Sequence, residues 1–219
     1  MKKRPLVWRN IFTLPNCYHA LFTMIDESPI LSYINRFVPL TATEADQFVS
    51  AFKKVRIKKR QFIVQPNFPV KHRYYITKGS LRAYVVSENG QEHTVSLAIE
   101  DWWITDYIGY ILQQPASMFV VAFEDTEALE LDYKKEQELK AANHKFETFF
   151  RTIAERGLVY HQKRLVSNLT ETAEERYRRL MEKYPLLIQR IPQYALASFL
   201  GMSTEYLSKL RKRQSPRSS

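Results

Sequence analysis

Pro192-Gln193-Tyr194-Ala195-Leu196-Ala197-Ser198-Phe199-Leu200-Gly201-Met202-Ser203-Thr204-Glu205-Tyr206-Leu207-Ser208-Lys209-Leu210-Arg211-Lys212-Arg213 is the stretch on which the reading of this chain turns. Pro192 suits the first turn of a helix, where its missing N–H would be unpaired in any case. Leu196, Ala197 and Leu200 share one face at helical spacing. Gly201 follows where a left-handed residue ends a helix at no steric cost, and Ser203 is a good N-cap for the next helix. On that second helix Leu207 and Leu210 point inward together. Glu205, Ser208, Lys209 and Lys212 fall opposite them, with Thr204 flanking near the N-terminus. Two short helices joined by a tight turn, the second apolar behind and polar-to-basic in front, have the layout of a helix-turn-helix, and such a front suits a DNA major groove. An ordinary amphipathic helix pair with a solvated charged face gives the same pattern, so the rest of the chain must decide.

The 219 residues suit one large domain or two modest ones, and 45% hydrophobic content is ample for a packed core. Lys and Arg number 33 against 23 Asp and Glu, a formal charge of +10, which favours a polyanionic partner. From Tyr206 to the end Lys209, Arg211, Lys212, Arg213 and Arg217 stand without an acid, so positive potential gathers at the helix-turn-helix end. The single cysteine, Cys17, cannot build a disulfide framework, a zinc finger or an iron–sulfur site. That usage fits a reducing, cytoplasmic compartment, and no apolar run reaches membrane-spanning length. Met1-Lys2-Lys3-Arg4 followed by Ile11 to Ile25 has the outline of an export signal, but Pro15, Asn16, Tyr18 and His19 interrupt it. A natural start at Met24, leaving residues 1–23 as an upstream extension, is the simpler expectation.

Working back from the C-terminus, Thr172 with Glu175 forms a capping box for a helix to Tyr184 that Pro185 stops, and Leu186 to Ile191 reads as a short extended link. Asn143 caps a long helix from His144 to about Leu169. Phe146, Phe150, Ile153, Gly157, Tyr160 and Arg164 lie near one stripe of it, and Leu158, Leu165 and Leu169 on a neighbouring one. A helix with two such stripes can pack on its own domain and on a second copy. Phe146, Phe150, Ile153, Gly157 and Tyr160 are taken as the pairing residues, and Gly157 costs about 1 kcal/mol relative to Ala unless close helix approach compensates. Between Lys53 and Tyr133 the period is that of strands: Arg73 to Ile76, Leu81 to Val86, Glu92 to Leu97 after the hairpin signal Asn89-Gly90, Trp102 to Ile104, Phe119 to Phe123 and Ala128 to Leu131. Asp106 to Leu112 allows one or two helical turns. Ahead of them Ser28-Pro29 opens a short helix to Arg36, and Thr41 with Glu44 is a capping box for another to about Phe52.

The expected fold is α+β. A β-roll of jelly-roll type with flanking helices comes first, then a long helix, then a helix-turn-helix, with boundaries at 1–23, 24–142, 143–170 and 171–219. This order, over about Ile30 to Arg213, resembles the Crp/Fnr family of bacterial transcription regulators, named for the cyclic-AMP receptor. The resemblance implies a homodimer paired through the long helix, double-stranded DNA carrying an inverted repeat as partner, and RNA polymerase as a further candidate partner. It implies base-edge contacts from Thr204, Glu205 and Lys209 and phosphate contacts from Gln193 and Ser203, with Tyr206, Ser208 and Lys212 on the same face. Two of the family's reading positions are often Arg where this chain has Thr204 and Lys209, so its half-site should differ from the best-known one.

The family's phosphate-binding cassette has Gly-Glu at the start of a short helix and Arg-Ser about ten residues later. Without a gap, Thr105 stands for Gly, Asp106 for Glu and Ala116 for Arg, and only Ser117 is kept. The Arg supplies the charge-assisted bonds to the cyclic phosphate, so the effector is expected not to be cyclic AMP, and its identity stays open. Trp102-Trp103 with Tyr107 and Tyr110 could line a small-molecule pocket, although such aromatics more often close a core. No cofactor, metal site, membrane contact or catalytic constellation is expected. The alternative to a regulator is a ligand-binding or protein-interaction module with a vestigial helix-turn-helix, and sequence-selective, salt-dependent DNA binding separates the two.

Overall fold

In the computed structural model the described residues are 28–214. The proposed start at Met24, the segment 1–23 with Cys17, and Arg217 lie outside them. Helices α1 (Pro29–Ile34) and α2 (Ala42–Ser50) precede eight strands: β1 (Phe52–Ile57), β2 (Phe62–Val64), β3 (His72–Lys78), β4 (Leu81–Val86), β5 (Glu92–Ala98), β6 (Trp103–Ile104), β7 (Phe119–Ala122) and β8 (Thr126–Asp132). The short helix α3 (Tyr107–Leu112) lies between β6 and β7. After the strands come α4 (Tyr133–Ala142), α5 (His144–Thr170), α6 (Ala173–Lys183), α7 (Pro185–Arg190), α8 (Gln193–Leu200) and α9 (Thr204–Gln214).

The strands form two four-stranded antiparallel sheets, ordered β1-β8-β3-β6 and β2-β7-β4-β5. Tyr74, Ile76, Leu81, Ala83, Val120 and Ala122 fill the space between them. The first sheet is covered outside as well. Tyr75, Leu129 and Leu131 point away from the inter-sheet core and meet Ile30, Ile34, Phe48, Phe146, Phe149 and Phe150 from the flanking helices. With both faces buried, β3 is buried almost continuously rather than in alternation. The Asn89-Gly90 turn joins β4 to β5, with Gly90 at φ +81° and Ser87 N–H donating to Gln91 O at 2.9 Å.

Both capping boxes form, with the Thr41 and Thr172 hydroxyls and the Glu44 and Glu175 carboxylates each closing on the opposite backbone N–H. Asn143 ends α4 and caps α5, its side chain accepting from Lys145 N–H at 2.9 Å. Several segments differ from expectation. Pro185 does not leave an extended link behind it. Tyr184 departs from helical geometry, as the residue before a proline tends to, and Pro185 then opens a new helix, α7, that buries Leu187. Pro192, likewise, sits at the cap of α8 rather than within its first turn. Strands β1 and β2 and helix α4 carry weak periodicity and are fixed by tertiary pairing instead.

Candidate nucleic-acid interface and the cassette of the roll

The C-terminal pair α8–α9 is built as its sequence dictates. Leu196, Ala197, Leu200, Leu207 and Leu210 are buried in one core with Tyr177 and Leu187. Gly201 turns the chain at φ +68°, and Ser203 Oγ accepts from Tyr206 N–H at 3.1 Å, capping α9. Thr204, Glu205, Tyr206, Lys209 and Lys212 are exposed, and Ser208 is half-buried. Glu205's own backbone N–H and the Ser203 hydroxyl hold its carboxyl below the usual range, with Lys209 adding a weaker pull. At neutral pH it is therefore an acceptor only. Gln193 turns inward: its Nε2 donates to Thr204 O at 2.9 Å, fixing the start of α9 against the start of α8.

Three contacts, whose docking role periodicity does not reveal, join this head to the roll. Ser198 Oγ accepts from Thr94 N–H at 2.8 Å and donates to Glu92 O at 3.1 Å, so α8 covers the free edge of β5. Arg164 of α5 donates to Thr94 O, Val95 O and Phe199 O, joining long helix, roll and head in one guanidinium. Arg190 of α7 lies 2.6 Å from Glu100 and 2.6 Å from Glu124. Beside the Arg164–Phe199 tie a cleft of about 700 Å³ opens between α5, α6 and α8, lined in part by Lys163, Arg164, Arg176, Arg179 and Lys183.

The stripe expected to pair subunits is divided by the structure. Phe146 and Phe150 are 0% and 2% exposed in the chain's own core, locked by Phe48 and its aromatic neighbours. They cannot reach a second copy. Ile153 packs on the same core, and Tyr160 meets Trp102 edge-on. Gly157 has open space where a Cβ would stand. Leu158, Leu165 and Leu169, on the neighbouring stripe, are 69%, 60% and 78% exposed. Periodicity showed both stripes but could not tell which one the α1–α2 helices had already covered.

In the cassette, Thr105 is buried with its hydroxyl on His72 O, and Ala116 is part of the inter-sheet core. Asp106 is fully buried and accepts five hydrogen bonds: Oδ1 from Ile108 N–H and Gly109 N–H at 3.0 and 3.2 Å, and Oδ2 from Ser117 N–H, Ser117 Oγ and Met118 N–H at 2.6, 3.0 and 3.2 Å. The donors of Ser117 and of the α3 N-terminus are therefore spent on the chain's own carboxylate. Tyr110 belongs to the inter-sheet core and Trp103 packs on the core beneath the flanking helices. Burial and the nearby Glu136 push the Tyr110 hydroxyl up, so it stays protonated and donates to Glu136 at 2.7 Å, while Arg73 lies over the Trp103 and Phe150 rings. Among the described residues no three His, Cys, Asp or Glu side chains gather as a metal site, and no helix is long and apolar enough to cross a membrane.

Residues 54–143 match the family model of the cyclic nucleotide-binding domain. No curated protein matches the chain by sequence. Among solved structures, FixK2 from Bradyrhizobium japonicum superposes with a TM-score of 0.66 at 12% identity, over 74% of this chain and 83% of that one. CLP of Xanthomonas campestris, described as a c-di-GMP responsive global regulator, gives 0.61 at 15% identity over 79% and 91%. The catabolite activator protein of Thermus thermophilus gives 0.51 at 22% identity over 85% and 86%. Residues 54–143 are therefore similar to cyclic nucleotide-binding domains, and the chain shares with these solved structures a fold of roll, long helix and C-terminal helices.

Proposed function

We propose that the protein is a sequence-specific DNA-binding transcription regulator that acts as a homodimer on an inverted repeat. The observation that carries this reading is the front of α9, where Thr204, Glu205, Lys209 and Lys212 are exposed while Leu207 and Leu210 anchor the helix from behind. Glu205 is suited to accept from a cytosine amine and Lys209 to donate to guanine. Ser203 and Gln193, at the two helix starts, stand where phosphates would pass, although Gln193's amide donor is engaged within the head.

The pairing surface is the exposed stripe Leu158–Leu165–Leu169, with Val159 and Val166 at its margin. A monomer has no use for five exposed aliphatics on one long helix, and two such helices side by side set two heads for half-sites one helical turn apart. Leu165→Lys should shift the protein from dimer to monomer in analytical ultracentrifugation. It should also weaken binding to the repeat by about a hundredfold, since two linked heads bind with the effective concentration that linkage gives.

The effector is a molecule other than a cyclic mononucleotide. Ala116 offers no charge to a phosphate, and Asp106 already takes the Ser117 donors. Selection of bound sequences from random duplex DNA tests the main reading. Enrichment of a palindrome at low salt, fading as salt rises, supports it. Failure to enrich any sequence would favour a ligand- or protein-binding module whose helix-turn-helix no longer reads DNA.

A further inference from the structure

The cleft between α5, α6 and α8 shares no lining residue with α9 or with the cassette of the roll, and its volume of about 700 Å³ is that of a small-molecule site. Five cations line it, Lys163 and Arg164 from the long helix and Arg176, Arg179 and Lys183 from α6, against one acid, Glu171. Much of the remaining lining is apolar. Tyr160 and Tyr184 both meet the Trp102 ring edge-on, at 6.3 and 5.1 Å, and Leu180 and Phe199 join them.

Part of this charge is structural. Arg176 Nε and Nη2 donate to Leu200 O at 3.0 and 2.8 Å, closing the end of α8, and Arg179 is tied to Glu171 and Ser167 at the joint of α5 and α6. These ties fix both guanidinium groups and leave N–H groups over, since each carries five. The ties do not account for the rest. Arg164 spends Nη1 and Nη2 on backbone carbonyls, and its Nε is buried without an acceptor. Lys163 and Lys183 are exposed and meet no acid among the described residues. A second copy does not neutralise them either. The long helix has no acid from Arg156 to Thr170, so pairing along the Leu158–Leu165–Leu169 stripe brings like charge to like.

We propose that this cleft binds a small organic phosphate, its charged group held by Lys163, Lys183 and the spare N–H groups of Arg176 and Arg179, its apolar body against Leu180 and Tyr184. Five cations to one acid favour a dianion over a single carboxylate, and a guanidinium fork fits phosphate oxygens in pairs. Because Arg176 and Arg179 are already held in place, little side-chain freedom is lost on binding. The site lies outside the roll, so it needs none of the donors that Asp106 has taken. An occupant touches the long helix and the head at once, on either side of Glu171.

The test is isothermal titration calorimetry on the full-length protein at low salt and without DNA, so it is independent of what α9 reads. The probe is naphthyl phosphate, with inorganic phosphate and naphthol as its two halves. Naphthyl phosphate should bind at least about tenfold more tightly than either half, and K163Q/K183Q should weaken it by about tenfold or more, the order of one charge-assisted hydrogen bond. Both lysines are exposed, so the variant should melt with the native protein. Equal affinity in the two proteins would place the probe elsewhere and overturn the site. Naphthyl phosphate binding no better than inorganic phosphate would overturn it as well. If the two substitutions weaken binding of a random-sequence duplex as much as they weaken the probe, the cations serve the DNA backbone and the small-molecule site is overturned.

Discussion

Helices α3 and α9 are both opened by a side-chain oxygen, and the two N-termini differ in burial. Asp106 caps α3 with one carboxylate oxygen and turns the other inward onto Ser117 and Met118, so every donor around it is satisfied within the chain. Ser203 caps α9 with a bond to Tyr206 N–H, and Thr204, Glu205 and Tyr206 beyond it are exposed. A helix start is a ready anion site, and here that of α3 is closed by the buried Asp106 carboxylate, whereas that of α9 is met by the exposed carboxylate of Glu205. The same local chemistry is closed in the roll and exposed in the head. What separates them is burial.

Removing the two caps should give very different results. Asp106→Ala leaves buried backbone and hydroxyl donors of α3 and the β7 entry without an acceptor, each at a cost of about 1–3 kcal/mol. A loss of at least about 3 kcal/mol is expected in urea denaturation monitored on the roll. Ser203→Ala removes one exposed cap and should cost about 1 kcal/mol. That loss falls on the head, lowering affinity for the selected repeat while the roll unfolds at the same urea concentration. If the two substitutions cost the same, the cassette is not closed in the way the Asp106 geometry indicates.

The contrast also accounts for what could be read in the sequence. Caps, boxes, the Asn89-Gly90 hairpin, the roll–helix–head order and both long-helix stripes were legible because they are local patterns of residue type and spacing. Asp106 was legible as a substitution in the cassette but not as the acceptor of five bonds, since Ser117 and Met118 reach it only through the folded β7 entry. Phe146 and Phe150 looked like pairing residues because periodicity cannot tell a partner subunit from α2 of the same chain. Arg164 was legible only as a member of a stripe and Arg190 gave no signal: a docking arginine is recognisable only once the carbonyls and carboxylates it joins have met. Helix α7 was hidden because a proline stops one helix and starts the next with the same residue.

A third helix start, that of α2, lies between these extremes and gives the smallest effect. Glu44 closes its capping box on Thr41 N–H at 2.7 Å, as Glu175 does on Thr172 in α6, but Glu44 also reaches the long helix, with Lys145 Nζ at 2.7 Å and Asn143 Nδ2 at 3.0 Å. The Lys145 ammonium first, then Thr41 N–H and the Asn143 amide, lower its carboxyl from 4.5 to about 2. The folded value lies below the unfolded one, so this contribution to stability is complete above pH 4.5 and is lost as the pH falls toward 2. In Lys145→Met the folded value should rise toward that of an ordinary capping-box Glu. The loss of stability between pH 4.5 and 2 should then be shallower than in the native protein, because the variant already lacks at neutral pH the modest part that the half-buried Lys145 pair contributes. Parallel pH curves for the two proteins would mean that the box alone sets Glu44. In that case α2 would be tied to the long helix by Phe48 packing against Phe146 and Phe150 rather than by charge.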